Sequence, residues 1–302
     1  MTTTGEAKKA EVFVRKASGL VRTAGVWDVL AYNINFTSIG LLLIFLIMLG
    51  PAFYPGISMA WSAIICTVLL VPLSLVFGYL SSTMPRSGGD YVYVSRVLGP
   101  AWGMMSNFNN TMWWFFYGGV PSAFLARYGL APFFRTMGIF LDNAGLIDVG
   151  NWFASTLGMF IFGVILISLL IFIFSRGMRG FFRIQNVLII FAIISTLLSA
   201  LVFIGKDQAA VMAAFNSFLG PLSGNPDLAP YVLDSAHEAG FTVEAFSLKN
   251  TLLPMTWIYL NLSFMSSSAY IGSEVKNARR IQLWSMPVTL LVVGLGVLIT
   301  VL

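Results

Sequence analysis

Charged side chains are missing from six long stretches of this chain: Val29–Pro85, Val97–Ala126, Val149–Ser175, Ile184–Gly205, Asn250–Ser273 and Ile281–Leu302. A charge at mid-bilayer costs about 2.5–3.5 kcal/mol on insertion scales, so gaps of this length mark segments built to cross lipid. A crossing helix needs about 20 predominantly apolar residues. On that rule the gaps divide into seven spans, at about 28–49, 58–80, 101–124, 153–174, 184–204, 251–272 and 282–302. Barrel strands are about ten residues long and alternate strictly, which these runs do not. The fold class is therefore an all-α membrane protein, consistent with 58% hydrophobic and 10% charged residues and a mean hydropathy of +0.85.

The basic residues set a direction. With the N-terminus inside, Lys8, Lys9, Arg15, Lys16, Arg22, Arg86, Arg96, Arg176, Arg179, Arg183, Lys276, Arg279 and Arg280 are cytoplasmic, 13 of the 17. Arg127, Arg135, Lys206 and Lys249 remain outside. The bias follows the positive-inside rule and places a multi-pass protein in the cell (plasma) membrane with its N-terminus cytoplasmic. The net charge of +5 is thus a topology signal and gives no support to nucleic-acid binding. The first apolar run starts late and is too long for a secretory signal core. Cys66 lies alone in an apolar run and reads as a small buried hydrophobe. His237 sits in the long outer connection, about 205–250, with no second His or Cys near it, so no metal or cofactor is expected. That connection is long enough to hold structure of its own, with short helices expected near 208–219 and 233–247.

Two polar phrases interrupt the apolar runs. Asn33-Ile34-Asn35-Phe36-Thr37-Ser38 opens span one and continues into Ile39-Gly40. Asn261-Leu262-Ser263-Phe264-Met265-Ser266 lies within span six and continues into Ser267-Ser268. Amides and hydroxyls inside a span tie helices together, or they replace helical bonds where a span unwinds to bind solute. In repeat-built transporters, interrupted helices at corresponding places in the two halves mark the substrate site. Spans one and six correspond in a five-plus-five repeat. Interruptions are expected near 37–40 and 261–268. A third patch, Asn107, Asn110 and Trp114, shares one helix face at i, i+3, i+7 and reads either as interhelical packing or as a cavity wall.

Several stretches together resemble the amino acid–polyamine–organocation (APC) superfamily of permeases. Ala17-Ser18-Gly19-Leu20-Val21-Arg22 is similar to the family's lead-in to span one. Met84-Pro85-Arg86-Ser87-Gly88-Gly89-Asp90-Tyr91-Val92-Tyr93-Val94, continuing to Gly99-Pro100 and Trp102-Gly103, is similar to its most recognisable motif. Glu274-Val275-Lys276-Asn277 resembles the segment that ends its span six. Physically, Gly88-Gly89 suits a tight turn and 90–98 a short helix at the inner surface, while a phosphate-loop reading fails for want of a following Gly-Lys-Ser/Thr. Many members break span one with Gly-Ser-Gly, where this chain has Thr37-Ser38-Ile39-Gly40. Phe264 stands near the usual glycine of span six, and span five has no lysine where some proton-coupled members carry one.

The resemblance implies a LeuT-type inverted-repeat transporter fold, truncated after about seven transmembrane helices. Residues 1–27 would form a cytoplasmic N-terminal segment, 28–204 the first five-helix repeat, 205–250 an extracellular loop, and 251–302 the first two helices of the second repeat. The last span runs to Thr300-Val301-Leu302 with no polar tail, so a longer parent is expected, and this chain alone is expected not to transport. The implied activity is secondary transport of amino acids, with H+ or Na+ as coupling ion and no enzymatic chemistry. The substrate would lie against Asn35, Thr37, Ser38, Ile39 and Gly40 of span one and Asn107 and Asn110 of span three. Asn261, Ser263, Phe264, Ser266 and Ser267 of span six would complete the site. Because all 12 acidic residues fall outside the charge-free gaps, a neutral amino acid is expected. The alternatives are an amine or polyamine permease, a seven-helix receptor or sensor, and a channel. Span seven lacks the lysine that a retinal-based sensor would need, and spans four and five lack the polar stripe of a pore.

Overall fold

The computed structural model describes residues 22–241 and 245–301. The basic residues Lys8, Lys9, Arg15 and Lys16, and the lead-in motif up to Val21, lie outside the described residues. Among those described, secondary structure is helical apart from one isolated parallel bridge between Ala24 and Val275.

Five helices are long and apolar enough to cross a membrane: Val26–Phe53, Met59–Thr83, Thr156–Ser175, Met178–Val202 and Ala278–Val301. They coincide with spans one, two, four, five and seven. Short polar side chains start several of them. Ser58 accepts from Trp61 N and Ser155 from Gly158 N, each satisfying a first-turn N–H that has no helical partner. The expected span at 101–124 is helical as Pro100–Tyr117 and Val120–Phe124, and helical structure continues to Phe140. The expected span at 251–272 is not one α-helix. Pro254 has no N–H to donate and separates Leu248–Leu252 from Met255–Leu262, after which Ser263–Glu274 is 3-10 helical with a kink at Ile271. Two π-helical turns, Ile44–Leu49 and Leu125–Leu130, stand just ahead of Pro51 and Pro132. A widened turn accommodates a ring that crowds the preceding carbonyls.

The long connection at about 205–250 holds helices Gln208–Ser223 and Leu228–Glu238. The second therefore starts five residues before the expected 233. It stops at Glu238 because Gly240 takes a φ of 93°, a left-handed conformation that ends a helix. The connection returns to span two's start through Ser247 N to Gly56 O at 2.9 Å and Asn250 Nδ2 to Pro55 O at 2.7 Å.

The core belongs to spans one, two, six and seven. Leu42, Leu46, Leu70, Ile258, Leu262, Met265, Leu290 and Val293 form one buried cluster there. Spans four and five expose most of their apolar side chains, as lipid-facing helices do. Spans two and seven pack closely at two glycines. A Cβ on Gly78 would stand 2.8 Å from Leu283 O, and one on Gly294 would stand 2.7 Å from Thr67 Cγ2. Small residues permit such backbone contact between membrane helices. Replacing Gly78 with leucine is expected to destabilise the detergent-solubilised protein by about 1–3 kcal/mol, the usual cost of overpacking. Thermal unfolding checks this against Tyr79→Ala, whose side chain is exposed and whose loss should change little.

Candidate functional site

Span one breaks at Ser38, inside the expected 37–40 window. Ser38 has φ 48° and ψ 65°, the left-handed region, and closes the Val26–Thr37 helix by donating its N–H to Asn35 O at 3.1 Å before the helix resumes at Ile39. A non-glycine residue there carries about 1–3 kcal/mol of strain, which the surrounding packing must offset. Span six leaves α-helical geometry at Ser263, two residues later than the start of the expected 261–268. The segment Ser263–Glu274 is not one continuous 3-10 helix, because Ile271, at φ −108° and ψ 19°, kinks it. Even short 3-10 runs have poorer hydrogen-bond geometry than an α-helix. Here serine hydroxyls reinforce it: Ser263 Oγ donates to Leu260 O, Ser266 Oγ to Ser263 O and Ser267 Oγ to Phe264 O, at 2.7–3.1 Å.

The two interrupted spans meet through side-chain amides. Asn33 Oδ1 accepts from Ser268 N at 2.7 Å, fully buried. Gln282 of span seven then holds both remaining polar groups of Ser268. Its Oε1 accepts from Ser268 Oγ at 2.7 Å, and its Nε2 donates to Ser268 O at 2.8 Å. Two buried amide atoms next to these breaks, Asn33 Nδ2 and Asn261 Oδ1, have no hydrogen-bond partner among the described residues. Native structures rarely strand such groups without a function or an ordered partner.

Beside the 3-10 segment a cleft of about 390 Å³ opens between spans two, three and six. Asn110, Ser263, Phe264, Ser266 and Ser267, all expected site residues, line it. Its aromatic wall joins three spans. Phe264 lies 5.4 Å from Trp114 and 6.2 Å from Trp113 between ring centroids, and Trp114 meets Phe36 of span one edge-on at 6.0 Å.

The other expected residues stand elsewhere. Asn35 Nδ2 donates to Gln185 O of span five at 3.4 Å, and the buried Thr37 hydroxyl returns to Ile34 O. Ile39 packs on the central core, and Gly40 faces a separate groove with Ser195 and Thr196. Asn261 is fully buried and donates to Trp257 O at 3.0 Å. Asn107 is exposed and does not line the cleft, which corrects its placement on the cavity face. The span-three face that does so carries Ser106, Asn109, Asn110, Trp113 and Trp114, rotated slightly from the expected stripe.

Asp90 and Tyr270 also line the cleft and were not expected there. Tyr270 OH donates to Asp90 Oδ2 at 2.9 Å and accepts from Asn110 Nδ2 at 2.8 Å, linking the short Asp90–Val97 helix, span six and span three. Burial pushes the Asp90 carboxyl above the usual carboxylate range, partly offset by the Tyr270 hydrogen bond. The glycine-rich motif ahead of Asp90 is what seats this helix. Gly89 has φ 47° and ψ −122°, and a Cβ there would strike the Tyr270 ring at 2.8 Å. Gly272 packs directly on the Arg86 backbone, and the Ser87 and Ser273 hydroxyls pair. Backbone and side chain of the motif thus dock on the far end of the 3-10 segment.

A family model described as amino acid permease matches residues 25–302. No curated protein and no solved structure matches the chain.

Proposed function

This chain belongs to the amino acid permease family, and we propose that it moves neutral amino acids across the membrane by alternating access in a LeuT-type inverted-repeat fold. Residues 28–204 are then the first repeat and 251–302 the first two helices of the second, with seven spans and a cytoplasmic N-terminus in the plasma membrane. The observation that carries the reading is the junction of two interrupted spans, stitched by Asn33 and Ser268 and flanked by the unpartnered Asn33 Nδ2 and Asn261 Oδ1. In this reading the substrate carboxylate meets the first N–H groups of the resumed helix, at Ile39 and Gly40, the Ser38 N–H being held by Asn35 O. Its ammonium meets carbonyls freed along Asn261–Ser267, with Asn110 and the Phe264 ring closing the side. H+ or Na+ serves as coupling ion.

One observation favours a second reading, an amine or polyamine permease. The Asp90 carboxylate reaches the same cleft as the aromatic wall, and a carboxylate with ring faces suits an organic cation.

Uptake of labelled amino acids into proteoliposomes holding the full protein, under imposed sodium or proton gradients, tests the proposal. Gradient-driven accumulation of a neutral amino acid is expected. Equal uptake with and without either gradient, or none for any amino acid, would refute it.

A further inference from the structure

A second polar cavity, about 310 Å³, lies at the basic end of the helices, where span one begins. Three distant segments build it. Residues 22–25 run beside the end of span six, with Thr23 N and Ala24 N donating to Glu274 O at 2.9 and 3.1 Å and Lys276 N returning to Ala24 O at 2.9 Å. Span five is fixed to the same place, because Gln185 Nε2 donates to Asp28 O at 2.9 Å and Asn186 Nδ2 to Asp28 Oδ1 at 2.7 Å. These bonds bring Arg22, Arg179, Arg183 and Lys276 around one hollow whose inner wall includes the buried Phe182.

The charge there is lopsided. Four cations stand against one carboxylate, and both oxygens of that carboxylate are engaged by neutral donors, Oδ1 by Asn186 and Oδ2 by Gly25 N at 2.9 Å. The positive-inside rule explains basic residues at this end but not their convergence on a hollow held open by backbone and amide bonds. Thr23 and Asn186 add polar side chains to the lining.

We propose that this cavity binds the headgroup of an anionic phospholipid. Arg179, Arg183 and Lys276 answer the phosphate charge. A lipid suits the site better than a soluble phosphate because the cavity opens within the first two turns of spans one and five, at headgroup depth. Basic pockets between membrane helices hold phosphorylated headgroups by the same physics.

The test is thermal unfolding of the full protein in neutral detergent with added phosphatidylglycerol, phosphatidylcholine or glycerol 3-phosphate. Phosphatidylglycerol is expected to raise the midpoint by several degrees, less so at high salt, and the other two to leave it in place. The triple variant Arg179→Gln, Arg183→Gln, Lys276→Gln should lose the shift. A control with the same charge loss on the same face, Arg96→Gln, Arg279→Gln, Arg280→Gln, should keep it. Equal stabilisation by phosphatidylcholine, equal loss in the control, or a shift that survives in the triple variant would overturn the proposal. A shift with glycerol 3-phosphate alone would transfer the site to soluble anions and overturn the lipid assignment. Should the triple variant not fold, native mass spectrometry decides. Lys276→Gln is expected to retain several-fold less phosphatidylglycerol than the unaltered protein, and equal retention would count against the site.

Discussion

Replacing Gln282 with leucine is expected to cost about 2–4 kcal/mol of stability, because it strands buried polar groups of Ser268 that no other side chain reaches. Gln282 is fully buried one turn into the Ala278–Val301 helix and makes two hydrogen bonds to the same residue. The leucine side chain is of similar size, so the loss is of bonding more than of packing. The Ser268 hydroxyl can turn to a nearby carbonyl, as Ser267 does to Phe264, but the Ser268 carbonyl has no such escape within a 3-10 turn held at both sides. The thermal midpoint in detergent should fall by on the order of 5 °C or more. Gln282→Glu separates shape from bonding. It keeps the outline and loses the donor to Ser268 O, so it should be at least as damaging, with a carboxylate buried beside a carbonyl. A leucine variant as stable as the unaltered protein would mean that the 3-10 segment finds its partners elsewhere.

That knot also shows where sequence reading reaches its limit. The places of both interruptions were legible, because amides and hydroxyls in a charge-free run have few other reasons to be there. Which amide carries the contact was not. Asn33 and Asn35 lie two residues apart and so point to nearly opposite sides of a helix. The structure gives the junction to Asn33 and sends Asn35 toward span five, and only the neighbours decide that. Span three shows the same ambiguity in milder form. With Ser106, Asn107, Asn109 and Asn110 all polar, a stripe through Asn107 and one through Ser106 fit helical spacing equally well.

The glycine-rich motif was legible as a turn and a short helix, and Asp90–Val97 is that helix. Its docking was not, since Gly89 against Tyr270, Arg86 against Gly272 and Ser87 against Ser273 all join residues about 180 positions apart. Nor did an apolar count foresee the division of span six. Pro254 was in plain view there, but the hydropathy of the segment outweighed it, whereas the serines had marked the break near 261–268.

Asp90 bears most directly on the substrate selectivity proposed for the cleft. A neutral amino acid is expected to compete for transport at concentrations at least tenfold below arginine or putrescine, and the argument turns on how available that carboxylate is. Bringing a second cationic group to mid-membrane costs several kcal/mol unless a carboxylate answers it. No charged residue lies within the span interiors, and among the described residues Asp90 is the one acid lining the cleft. Its Oδ2 already accepts from Tyr270, and burial disfavours its charged form. Pairing with a substrate cation would require breaking the link between the short helix, span six and span three. A residual mismatch of about 1.4 kcal/mol already amounts to tenfold in affinity. A zwitterion avoids the cost, since helix ends and freed carbonyls answer its two charges locally. Competition against labelled leucine or alanine in proteoliposomes holding the full protein measures the ratio, and Asp90→Asn identifies its cause. If neutral amino acids dominate and Asp90→Asn leaves the ratio unchanged, the carboxylate serves the Tyr270 link. If arginine or putrescine dominates and Asp90→Asn abolishes that preference, Asp90 is the counter-charge and the protein is an amine permease.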